Sequence, residues 1–106
     1  MAWTYLFIAG LFECGWAFGL KFTEGFTRPL PTALTALAMI ISLWLLSVAM
    51  KSIPVGTAYA VWTGIGAVGV AVLGMIFLNE SREVLRLLCL LLIVAGIVGL
   101  RVTARV

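Results

Sequence analysis

A glutamate sits inside an apolar run near the amino terminus, in GLFECGWAFGLKF, and no other acidic residue falls at comparable depth in such a run. Holding an ionised carboxylate at a bilayer centre costs ~2.5–3.5 kcal/mol on insertion scales, so residues of this kind face a bundle interior and serve a function. Helical spacing puts Gly10, Glu13, Trp16 or Ala17, and Leu20 along one face, with a small residue and an indole flanking the carboxylate. Ser42 lies at similar depth in a second apolar stretch, and Tyr59, Trp62, Thr63 and Gly66 follow i, i+3, i+4, i+7 spacing in a third. Single aromatics of this kind commonly pack or form an interfacial belt, but Trp16 and Trp62 fall too deep for a belt, and both can turn toward Glu13. A carboxylate beside hydroxyl and indole N–H groups, walled by aromatic faces, suits a small cation through charge, hydrogen bonding and cation–π attraction.

Burial disfavours a charged carboxylate, which makes a proton and a cation alternative occupants of Glu13. In a dimer two such groups would titrate as a coupled pair. If the protein changes its facing only when one occupant is bound, that competition becomes antiport. The pattern excludes common enzyme chemistry: there is no nucleophile paired with a base, no phosphate-binding loop and no cofactor motif. The two cysteines, Cys14 and Cys89, lack CxxC spacing, and without any histidine they make no metal site; both are expected to be small buried apolar residues.

The elements that position these residues follow from composition. Of 106 residues, 64% are hydrophobic and only 10% charged, far below the ~25% charged residues of a soluble domain. Apolar stretches at about 3–20, 30–50, 55–78 and 84–100 each meet the roughly 20 residues needed to cross a hydrocarbon core as helix. The expectation is an all-α membrane protein, a single four-helix transmembrane domain spanning 1–106. The first stretch has no basic n-region and carries Glu13, so it is expected to be a retained helix rather than a signal peptide. Basic residues are scattered singly at helix ends, which suits contact with membrane lipid and argues against nucleic acid.

The connections are short. Gly25, Pro29 and Pro31 supply turn chemistry and a helix start in KFTEGFTRPLP, and the brevity of KSIPVG predicts that helices 2 and 3 are antiparallel neighbours. Glu80 and Glu83 in NESREVLR read as solvated loop charges. Loop charge, which normally orients a membrane protein, cancels: Lys51, Arg101, Arg105 and the terminal amine oppose Lys21, Arg28, Arg82 and Arg86. A chain without preference inserts both ways up, and two opposed copies supply the inverted pair that transporters use for alternating access. An antiparallel, dual-topology homodimer is therefore expected; a parallel dimer or larger oligomer is the alternative. Gly64, Gly66 and Gly69 in GIGAVG mark either a flexible point in helix 3 or tight packing, and Ala95, Gly96 and Gly99 suit helix 4 to dimer packing.

These residues resemble the small multidrug resistance (SMR) transporters over essentially the whole chain. The likeness rests on four short helices, the lone glutamate of helix 1, LKFTEGFTR, and PVGTAYAVWTGIGAVG. Within that family ECGWA and GTAYAVWTGIGA are most similar to the guanidinium exporter subtype, in which a tryptophan follows three residues after the glutamate. The resemblance implies a dual-topology homodimer in the inner membrane that exports guanidinium and small substituted guanidinyl cations in exchange for protons. It also implies that Glu13 binds substrate and proton competitively, that Ser42, Trp16 and Trp62 arrange it, that Tyr59 lines the site or its gate, and that Gly10 gives the substrate space; Thr63, on the same helix 3 stripe, is expected to line the site too. Cys14 and Gly15 depart from the bulkier aliphatic residues frequent there, and so bear on substrate breadth. The alternatives are export of hydrophobic quaternary ammonium cations and a non-transporting membrane assembly subunit.

Overall fold

A computed structural model describes residues 1–103 of the 106. Four helices form: α1 (Ala2–Gly19), α2 (Pro29–Ala49), α3 (Val55–Phe77) and α4 (Val84–Thr103). A 3₁₀ turn, Leu20–Thr23, extends α1, and all four helices are long and apolar enough to cross a membrane. Such sequences remain helical in lipid because every backbone N–H and C=O must be satisfied within the segment. α4 continues past residue 100 through Arg101, whose guanidinium carbon lies 4.9 Å from the Trp3 ring centroid, a cation–π contact at one end of the fold. Arg105, counted above among the loop charges, lies outside the described residues.

The helices form a slab, with principal extents of 43 × 35 × 17 Å. α1 packs along both α2 and α3, α4 lies against α3, and α2 and α3 touch each other much less. The short turn between α2 and α3 therefore does not make them each other's main neighbours. Small residues on α1 explain the difference. A Cβ added at Gly19 would stand 2.6 Å from Thr35 Oγ1 of α2, and one at Gly10 would stand 2.7 Å from Ile65 of α3, so α1 can approach both helices closely. The buried core follows from this placement, with Leu6 and Ala9 of α1 meeting Leu45, Leu46 and Ala49 of α2 and Ala58, Val61 and Trp62 of α3.

α4 buries none of its residues within the chain. Cys89 is accordingly exposed on α4, contrary to the expectation of burial, whereas Cys14 is buried. Ala95, Gly96 and Gly99 are also exposed, and a Cβ added at Gly96 or Gly99 would meet nothing within 4 Å.

The connection after α1 is organised around Thr23, with Thr27 and Arg28 also bonding to Glu24. Glu24, Gly25 and Phe26 all have positive φ, at 48°, 71° and 67°, which only the glycine adopts without strain. Thr23, 1% exposed, fixes them: its hydroxyl donates to the Leu20 carbonyl at 2.8 Å and accepts from the Phe26 amide at 3.3 Å. Its carbonyl accepts from the Thr27 and Arg28 amides, delivering the chain to Pro29 at the start of α2. Replacing Thr23 by valine keeps the shape and removes both side-chain bonds. The expected loss is ~1–2 kcal/mol of unfolding free energy in detergent, and an unchanged unfolding curve would contradict this account of the turn.

Candidate functional site

The site begins with how α1 and α3 interdigitate. Three α1 positions meet three α3 positions in register: Gly10 against Ile65, the Glu13 carboxylate against Gly66, and Cys14 Sγ against Gly69. A Cβ at Gly66 or Gly69 would collide with the Glu13 carboxylate or the Cys14 sulfur respectively, so both glycines are seats for α1 side chains. Gly64 serves α4 in the same way, since a Cβ there would stand 2.9 Å from Ile97. α3 runs unbroken through all three glycines. Cys14 adds a polar tie to the seam, its thiol donating to the Ile65 carbonyl at 3.4 Å.

Glu13 is half-buried, and its Oε1 is buried without a hydrogen-bond partner. Among the described residues no hydrogen bond or ion pair reaches its carboxylate. An unsatisfied carboxylate oxygen away from water is costly unless it binds a proton or a cation, and that gives the group its chemical potential here. It opens onto a cavity of about 400 Å³ that Thr63, Gly66 and Val70 also line. A larger groove of about 580 Å³ runs between α1 and α2 past Gly15 and Leu34, but it carries no ionisable side chain and has no means of selecting a cation by charge.

A second cluster lies across the three packed helices. The Ser42 hydroxyl donates to the Ala9 carbonyl at 2.7 Å and accepts from Trp62 Nε1 at 2.9 Å, joining α2 to α1 and α3 to α2 through one oxygen. Ser42 is fully buried and Trp62 nearly so. Tyr59 stacks at a tilt on Trp62, ring centroids 5.6 Å apart, and is itself exposed. The Trp62 N–H is thus committed to Ser42, and its ring is packed into the buried core. Trp16 is half-buried, its Nε1 lacks a partner, and it is not part of the wall of the Glu13 cavity. The structure therefore groups Glu13, Thr63 and Gly66 around one cavity and Ser42, Tyr59 and Trp62 in one cluster, with Gly10 covered by Ile65 and Trp16 in neither group.

Glu80 and Arg86 also line the Glu13 cavity. Glu80 is not a free loop charge: Arg86 Nη2 donates to its Oε1 at 3.0 Å, and its carboxylate packs on Gly74. A turn with Asn79 at φ 55° brings the chain back, with the Glu80 amide donating to the Gly74 carbonyl at 3.2 Å. Arg82 finishes the end of α3 by donating to the Met75 carbonyl at 2.8 Å. A six-residue separation outside a helix carries no periodic signal, so only the turn reveals the pair.

A model of the family described as Small Multidrug Resistance protein matches residues 1–93. Among similar proteins, the Guanidinium exporter of Salmonella typhimurium is 60% identical over 104 residues, covering 98% of this chain and 99% of the relative. The Guanidinium exporter of Proteus vulgaris is 56% identical over 104 residues, covering 98% of this chain and all of the relative, and that of Citrobacter freundii is 59% identical over 103 residues, covering 97% and 98%. These relatives are transporters by name, not enzymes.

Ser42 and Trp62 provide a test of the geometry. Interhelical hydrogen bonds in membranes average about 0.6 kcal/mol with a maximum near 1.7, so Ser42→Ala and Trp62→Phe should each destabilise the protein measurably, and the double variant should cost less than their sum. Strict additivity in detergent unfolding would show that the bond contributes nothing.

Proposed function

The chain belongs to the small multidrug resistance family, and from that footing we propose that it exports guanidinium and small substituted guanidinyl cations across the inner membrane in exchange for protons. The observation that carries the reading is Glu13, a carboxylate seated on Gly66 inside a membrane span, with one oxygen buried and unpartnered and the residue on the wall of a cavity. Relatives near 60% identity that carry the name Guanidinium exporter supply the substrate class.

Guanidinium is a planar fork of N–H donors and meets a carboxylate bidentately. Glu13 binds it when ionised and binds a proton when neutral, so one group holds either cargo but not both. Thr63, on the cavity wall, would accept a further N–H, and the exposed Tyr59 ring, stacked on the buried Trp62, would offer an aromatic face to a cation on its way in. Ser42 positions Trp62, and Trp16 provides a second indole whose N–H has no partner within the chain. Each change of facing carries one kind of occupant, which couples outward cation flux to inward proton flux.

Two copies in opposite orientations complete the machine. The balanced loop charge supports insertion both ways up, and α4, apolar and unburied, offers Ala95, Gly96 and Gly99 to a second copy. Bending of α3 within Gly64–Gly69 would let the opening alternate between the two sides.

In liposomes holding the purified protein, a guanidinium gradient is expected to drive proton movement, and Glu13→Gln to abolish it. Wild-type vesicles that move tetraalkylammonium but ignore guanidinium would overturn the substrate assignment. The sign of the pH dependence follows from competition. Protonated Glu13 is neutral and does not hold the cation, so apparent guanidinium affinity should fall as pH falls. A pH-independent affinity would remove the shared site. Gly66→Ala should lower guanidinium affinity without touching the carboxylate itself, because the added methyl takes the seat that Glu13 occupies.

A further inference from the structure

The exchange at Glu13 leaves one charged feature of its cavity unused. The Glu80 carboxylate rests on Gly74 as that of Glu13 rests on Gly66. These glycines belong to one continuous helix and stand about 12 Å apart along its axis at a rise of 1.5 Å per residue. Both carboxylates line the same cavity of about 400 Å³, Glu13 within the span and Glu80 at the loop end. The group that holds Glu80 is Arg86, whose head is itself a guanidinium.

The quality of that pair matters. It is a single contact at 3.0 Å, with the Arg86 and Glu80 side chains 36% and 43% exposed, and the Arg86 Nε is left without a partner. An ion pair this open contributes little stability, so exchanging its cation is easy. A free guanidinium is not tethered and can meet the carboxylate through two parallel N–H bonds, a geometry that Arg86 does not reach here.

We propose that Glu80 is an outer binding station for the transported guanidinium cation, held by the Arg86 side chain until substrate displaces it on the path between the loop end of the cavity and Glu13. The inference rests on the proposed guanidinium export and adds a residue that selects for the same planar donor fork before Glu13 is reached. Arg86 acts as an internal competitor.

Competition predicts opposite effects from the two halves of the pair, which a merely structural tie does not. In the liposome exchange assay Glu80→Gln should raise the half-saturating guanidinium concentration roughly two- to fivefold, while Arg86→Gln lowers it by a similar factor. Shifts in the same direction, or no shift in either variant, would overturn the station. A second readout needs no change to the pair. In the full-length protein in nanodiscs, the ¹⁵N-resolved Nε–H signal of Arg86 should move as guanidinium chloride is added, and should still move in Glu13→Gln. A signal fixed at concentrations that saturate transport rejects the proposal. Wild-type vesicles that fail to exchange guanidinium at all would instead overturn the export reading together with this one, so the two failures are distinguishable.

Discussion

A carboxylate placed within a membrane span must be sheltered without being permanently neutralised, and most of this structure follows from meeting that constraint at Glu13. An ion pair to a lysine or arginine would satisfy the charge but would also block the exchange proposed for it. The fold instead seats the side chain on the bare backbone of Gly66 and leaves Oε1 buried without a partner. That arrangement requires α3 to come close to α1, which explains why the same two helices are also matched at Gly10 with Ile65 and at Cys14 with Gly69. Cys14 is small enough to fit beside Gly69, and its thiol finds the Ile65 carbonyl. Its neighbour Gly15 points away, into the apolar groove toward α2.

Putting α1 between α2 and α3 makes a thin slab rather than a closed bundle. In a membrane this carries no hydrophobic penalty, because lipid tails are as apolar as leucine, and helices are held together by close packing and interhelical hydrogen bonds. The Ser42 hydroxyl accordingly joins three helices, and the glycines of α3 let α1 and α4 approach from two sides. The slab also leaves α4 and one side of the Glu13 cavity uncovered, which is the geometry that the proposed second copy would complete.

Hydropathy alone delimits the four helices to within a few residues, because spans this apolar have no competing structure in lipid. Glu13 is conspicuous for the same reason. The residue types around a cation site are readable too, yet their pairings are not. Nothing in the spacing tells that the Trp62 N–H goes to Ser42, that Ile65 covers Gly10, or that Trp16 stands apart from the cavity wall, since each depends on the rotation of one helix against another. Periodicity is also silent about Glu80, which a left-handed residue at Asn79 folds back onto α3 and into the cavity. The brevity of the second connection makes α2 and α3 neighbours but does not tell how lightly they touch, because chain adjacency is outweighed by the closer approach that small residues give α1.

Under the proposed exchange, one carboxylate holds proton and guanidinium in turn. Titrating guanidinium chloride into the purified protein in detergent, with heats compared across buffers of different ionisation enthalpy, counts the protons released per cation bound. Proton release is expected in the wild type, and in Glu13→Gln neither that release nor binding at position 13. Guanidinium binding that releases no proton, or that survives unchanged without the Glu13 carboxylate, would contradict it.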